Sequence, residues 1–126
     1  MKTIGLLLVG LLFVSVLTSG QQVSASPENF ATSGNAFLRV CEPESAKSAM
    51  VHMTCMAYVI GVSDGAEMMG EKFRHIPYCP GPDVENGQTY RIVVKYVQGH
   101  PERADLQTRI LIMDALSAAF PCRVNK

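Results

Sequence analysis

Four cysteines, three histidines and a pair of carboxylates are the residues whose types could do chemistry here, and their spacing decides which chemistry is open. Cys41, Cys55, Cys79 and Cys122 stand 14, 24 and 43 positions apart. Structural zinc sites use close Cys-x-x-Cys or Cys/His pairs instead. An even number of cysteines in a small exported chain forms a disulfide framework, which leaves no free thiol to act as a nucleophile. His52, His75 and His100 are far apart, and no Ser-His-Asp order with a strained nucleophile turn accompanies them. Asp64 and Glu67 fall one helical turn apart, a spacing that suits shared acid–base work and equally an ordinary polar helix face; the plainer reading is adopted. Met50, His52, Met53 and Met56 carry the thioether and imidazole groups that suit copper(I), yet methionine also fills irregular gaps in helical cores, and packing is the preferred reading. No catalytic residue, metal site or cofactor is expected, so binding is favoured over catalysis.

The segment best suited to recognition is 71–85. Lys72, Phe73, Arg74 and His75 set an aromatic and an arginine among charges, and Tyr78 adds a second aromatic next to Cys79. Aromatic residues and arginine are enriched at interaction hot spots, and loops held by a rigid scaffold concentrate function. These five residues are the candidate partner-binding set.

The chain of 126 residues carries 11 basic and 11 acidic side chains. A near-neutral protein without a basic patch lacks the phosphate-neutralising charge that nucleic-acid binding needs, so that class is set aside. Lys2 and the apolar stretch 4–17 have the pattern of a secretory signal. The stretch is shorter than the roughly 20 apolar residues a membrane span requires. Val23-Ser24-Ala25 offers small side chains for a signal peptidase, placing cleavage after Ala25. The expected product is residues 26–126, a single periplasmic domain with no membrane attachment after cleavage.

The remaining pattern is helical throughout. Ser33 or Asn35 can cap a first helix through Phe37, Leu38 and Val40 to Cys41. Pro43 and Glu44 suit the first turn of a second helix, expected over 44–69, in which Val51, Cys55, Tyr58 and Val62 form a stripe. Met53, Ala57 and Ile60 widen that stripe, which suggests contact on more than one side. Gly61 and Gly65 cost this helix about 1 kcal/mol each, a loss that close approach of another backbone would explain. Pro77, Pro80 and Pro82 keep 71–85 irregular. Asn86 is expected to cap a third helix with Ile92, Val93, Tyr96 and Val97 inward, closed by Gly99 in the left-handed conformation. A fourth, starting between 101 and 107, turns Leu106, Ile110, Met113, Leu116 and Phe120 inward and stops at Pro121. The fold class is therefore all-α, a compact bundle of about four helices with two disulfides.

Four cysteines allow three pairings. Helices three and four, joined by a short connection, should run antiparallel, which returns Cys122 towards Cys79 and leaves Cys41 with Cys55. The second bond carries a condition. A helix starting at Glu44 puts Cys55 about 16 Å along its axis, which Cys41 reaches only if the first helix ends lower or the second starts nearer Met50.

Short pieces of this chain, in their order and spacing, resemble one family. They are Gly34-Asn35 ahead of Cys41, the run Cys55-Met56-Ala57-Tyr58-Val59-Ile60-Gly61-Val62-Ser63-Asp64-Gly65, and Tyr78-Cys79-Pro80. They continue with Asn86-Gly87-Gln88, Val93-Val94-Lys95-Tyr96, His100-Pro101-Glu102 and Ala119-Phe120-Pro121-Cys122. Together they resemble the Rap/Tai family of periplasmic immunity proteins, which protect bacteria from amidase toxins delivered by type VI secretion. The resemblance implies a small helical, disulfide-bonded fold, often a homodimer, that binds and occludes a peptidoglycan-cleaving enzyme without catalysis of its own. It also implies structural roles for the matched residues: cysteines for bonds, Gly61 for packing, Tyr58 and Phe120 for the core. The alternative from a different class is a general periplasmic stress protein, such as an acid-activated chaperone. That reading predicts dissociation and exposed apolar surface as carboxylates protonate near pH 3.

Overall fold

A computed structural model of the chain describes residues 29–42, 48–73 and 77–122, with the side chains of Lys72 and Phe73 outside the description. The expected signal segment 1–25 and the expected helix start at Glu44 both lie outside the described residues. Four α-helices follow one another: α1 (Gly34–Cys41), α2 (Ala49–Phe73), α3 (Asn86–Gly99) and α4 (Thr108–Ala119), with a 3₁₀ turn (Pro101–Arg103) between the last two. No strand occurs among the described residues, and none of their helices is long and apolar enough to cross a membrane.

Ser33 starts α1, its hydroxyl accepting from the Ala36 amide at 3.2 Å. The first amides of the helix are used by the chain that links α3 to α4. Gly34 N–H donates to the Leu106 carbonyl at 3.0 Å and Asn35 N–H to that of Ala104 at 2.8 Å. Donors that a helix end leaves unpaired thus become a tertiary joint. The joint tightens through Thr108, fully buried at the start of α4, whose hydroxyl lies 2.7 Å from the Phe30 carbonyl and 2.9 Å from that of Ser33. Gly34 is required here, because a Cβ on it would come within 2.5 Å of the Leu111 side chain and 3.2 Å of the Ala104 backbone.

The second helix differs from expectation at both ends. As described it opens at Ala49, with the Ser48 hydroxyl accepting from Val51 N–H at 3.3 Å. That late start satisfies the condition on Cys41–Cys55, whose Cα atoms are 5.6 Å apart. The helix then runs to Phe73, past the expected end at Met69. No helix breaker precedes Pro77, so 71–73 extend the helix instead of opening a loop.

Its packing is also one-sided. Cys55, Val59 and Ser63 are buried, whereas Met53 is 60% exposed and Ala57 is exposed. A Cβ on Gly61 or Gly65 would have nothing within 4 Å. The close backbone approach expected at these glycines, and the packing role carried to Gly61 by resemblance, are both corrected. α1, α3 and α4 all lie against one side of α2.

Smaller corrections follow from where the chain meets the core. Glu85, not Asn86, precedes α3 as its cap residue and makes no side-chain capping bond. Gly99 is the last helical residue, and His100 at φ −128° closes the helix, so no left-handed glycine is used. α4 begins at Thr108, and its buried face is Thr108, Leu111, Ile112, Ala115 and Leu116. Ile110, assigned inward by its spacing, is 41% exposed. The stripe is rotated about one residue round the helix, because Thr108 is drawn inward by the two carbonyls it bonds. α3 supplies Tyr90, Val93, Val94 and Val97 to the same core.

Candidate functional site

The segment between α2 and α3 is pulled onto the end of α4. Cys79 is bonded to Cys122 with Cα atoms 4.9 Å apart, and its N–H donates to the Phe120 carbonyl at 2.8 Å. One turn earlier in α4, the Ser117 hydroxyl donates to the Pro77 carbonyl at 3.1 Å. Residues 77–81 thus form a strap fixed along its length.

Tyr78 belongs to that strap and points inward. Only 1% of it is exposed, and its hydroxyl sits 2.8 Å from Ser63 Oγ and 2.9 Å from the Ser63 carbonyl oxygen. Where an exposed recognition aromatic was expected, the structure has a wedge between strap and α2. Of its companions, Lys72 and Phe73 end α2 in backbone, while Arg74 and His75 lie outside the described residues.

Strap, α2 and the start of α3 enclose a cavity of about 230 Å³. Asp64 and Glu67 line its wall, Ser63, Tyr78 and Thr89 bring hydroxyls, and Asn86 brings an amide. No histidine, cysteine or cation lines it. A second hollow along the strap brings Glu67 together with Glu71, so Asp64, Glu67 and Glu71 recur at steps of three and four along one face of α2. The carboxylate pair noted in the sequence thus stands in a cleft rich in acceptors, a binding chemistry more than a catalytic one. Among the described residues no group of three or more His, Cys, Asp or Glu is placed to hold a metal ion. The copper-type set is dispersed: Met50 and Met53 are exposed, Met56 packs on the core, and the His52 ring stands edge-on to Tyr90 with centroids 5.0 Å apart.

The other surface of note is the open face of α2. Met50 is 75% exposed, Met68 66% and Met69 52%, and with Met53, Ala57 and Gly61 they give the open side of α2 an apolar character that the exposed Thr54 and Asp64 interrupt. Helical spacing alone could not reveal it, since methionines at such spacing read as core. Large exposed apolar patches on small proteins mark interaction surfaces, and methionine is enriched at interface cores.

A family model described as Rap1a immunity proteins matches residues 33–122. That span takes in all four helices and both disulfides. Comparison with curated proteins and with solved structures returned no match.

Proposed function

The chain belongs to the Rap1a immunity protein family, and from that premise we propose that it is an exported inhibitor of a peptidoglycan amidase toxin delivered by type VI secretion. It acts by binding, seated over the active-site groove of the toxin, and carries out no reaction itself. The family match over the whole helical domain is the observation that carries this reading. Two disulfides support an oxidising compartment, and the apolar stretch 4–17 supports export to the periplasm through a signal removed after Ala25. The partner-facing surface is placed at the end of α2, where exposed Met68 and Met69 lead directly into Lys72, Phe73, Arg74 and His75. A homodimer of such chains belongs to the same proposal.

The exposed methionine face favours a second reading, because flexible thioethers suit adaptable binding of many clients. One experiment separates the two. The oxidised protein is immobilised, challenged with secreted and periplasmic proteins at pH 7 and pH 3, and the retained proteins are assayed for peptidoglycan cleavage with and without added inhibitor. A single stoichiometric hydrolase, silenced by this protein at pH 7, is the expected result. A broad set of clients held only at pH 3 would make it a chaperone instead.

A further inference from the structure

We propose that the cleft bounded by Asp64, Glu67, Tyr78 and Thr89 is a receptor for one arginine side chain of a partner protein. In the immunity reading, on which the partner's identity rests, that arginine belongs to the toxin.

The cleft is too small for a cofactor. At about 230 Å³ it falls below the roughly 300–1,000 Å³ of small-molecule sites, and suits a single side-chain head group. Its charge is one-sided, with two carboxylates on the wall and no cation in the lining. The start of α3 lies at the rim through Asn86, and a helix N-terminus contributes only about half a positive charge. Two full negative charges outweigh it, so a cation is favoured over an anion.

The second observation is Thr89. The residue lines the cleft and is 8% exposed, yet its hydroxyl has no hydrogen-bond partner among the described residues. Its hydroxyl-bearing side chain thus joins those of Asp64, Glu67, Ser63 and Tyr78 in the lining of the cleft. With the Asp64 and Glu67 carboxylates it gives the lining an array of acceptors, beside Ser63 and Tyr78 hydroxyls that are already bonded to each other. A guanidinium presents five N–H donors in a flat fork and is more weakly hydrated than an ammonium. It therefore meets more of this array, and loses less water on entering, than lysine would. Arginine buried against carboxylates is also a recurrent anchor of protein interfaces.

The test needs no toxin. Backbone amide shifts of the oxidised protein are followed while N-acetyl-arginine amide is added, with N-acetyl-lysine amide, N-acetyl-norleucine amide and spermidine as separate arms. Saturable shifts at Asp64, Glu67, Asn86 and Thr89 with the arginine amide, weaker with lysine and absent with norleucine, are the expected result. Asp64→Asn with Glu67→Gln should weaken binding about tenfold or more, equal to 1.4 kcal/mol. Thr89→Val, which keeps the packed volume, should also weaken it while the melting temperature stays near wild type. Shifts scattered over surface carboxylates, or retained in both variants, would overturn the site. Spermidine binding tenfold tighter than the arginine amide would assign it to a free polyamine and overturn the protein-partner claim. A toxin captured by a protein that binds no arginine amide here would overturn this site alone, and arginine-amide binding without toxin capture would overturn the immunity reading alone, so the two proposals fail separately.

Discussion

The Tyr78 hydroxyl reaches from the strap to α2, standing 2.8 Å from Ser63 Oγ and 2.9 Å from the Ser63 carbonyl. Both partners are at least nine-tenths buried, so the strap is held from inside by this pair as well as from outside by Cys79–Cys122. Tyr78→Phe keeps the ring and removes the hydroxyl, leaving the Ser63 hydroxyl without its side-chain partner. The expected cost is about 1–2 kcal/mol, or a melting temperature lower by roughly 4–12 °C in a domain of this size. Tyr78→Ala also empties a core position and should cost about 3–5 kcal/mol. Differential scanning calorimetry of the oxidised proteins checks both, and a Tyr78→Phe variant as stable as the wild type would mean that the hydroxyl pair contributes nothing.

Two glycines make a paired test with opposite signs. Gly34→Ala drives a methyl group into the Leu111 side chain and close to Ala104 backbone, and overpacking of this kind costs about 1–3 kcal/mol. Gly61→Ala meets nothing within 4 Å and should gain up to about 1 kcal/mol from helix propensity. Urea denaturation of the two variants reads the difference. Destabilisation by Gly61→Ala would show that this face is already covered in the protein as it exists in solution.

The same glycines show what the sequence could and could not convey. Four helices and the Cys41–Cys55 and Cys79–Cys122 bonds were legible, because 3.6-residue periodicity, prolines and antiparallel geometry are local or nearly local signals. The rotation of α4 was not, since Thr108 is drawn inward by carbonyls of Phe30 and Ser33 more than 70 positions away. The exposed methionine face was misread for a related reason. An apolar residue at helical spacing does not say whether another helix arrives to cover it. Tyr78 reads as a binding residue in the sequence because aromatics on loops held by a rigid scaffold are recognition candidates. The structure turns it inward through a bond to a serine 15 positions earlier. Asp64 and Glu67 were seen as a pair, but Thr89, which closes the cleft around them, carries no sequence signal of its own.

Burial raises the phenol pKa of Tyr90 above its ordinary value of 10. Burial does the same for Tyr58, partly opposed by the Arg109 charge. Tyr78 is raised by burial first, opposed by the bond from Ser63 and reinforced by the Glu67 and Asp64 carboxylates. In the unfolded chain these phenols ionise at about 10. Their contribution is therefore complete below pH 10 and is lost as pH rises through the folded values. Stability should hold to about pH 10 and then fall, with tyrosinate absorbance at 295 nm lagging that of the denatured protein. In Tyr78→Phe the lagging amplitude should shrink by one residue. Coincident titration of native and denatured protein would contradict the burial of these rings.

The end of α2 supplies the most direct test of inhibition. Met68 and Met69 are 66% and 52% exposed, so Met68→Ser with Met69→Ser should change stability by no more than about 0.5 kcal/mol. If this end of the helix seats against the toxin, the double variant loses buried apolar area and its affinity should fall about tenfold or more. Phe73→Ala with Arg74→Ala, further along the chain, should lower affinity by at least as much, since aromatic and arginine anchors dominate interface energies. Met50→Ser at the far end of the same face should leave it unchanged. Isothermal titration against the captured hydrolase separates these outcomes: loss only at Met50 would move the interface to the start of α2, and loss at both ends would spread it along the helix.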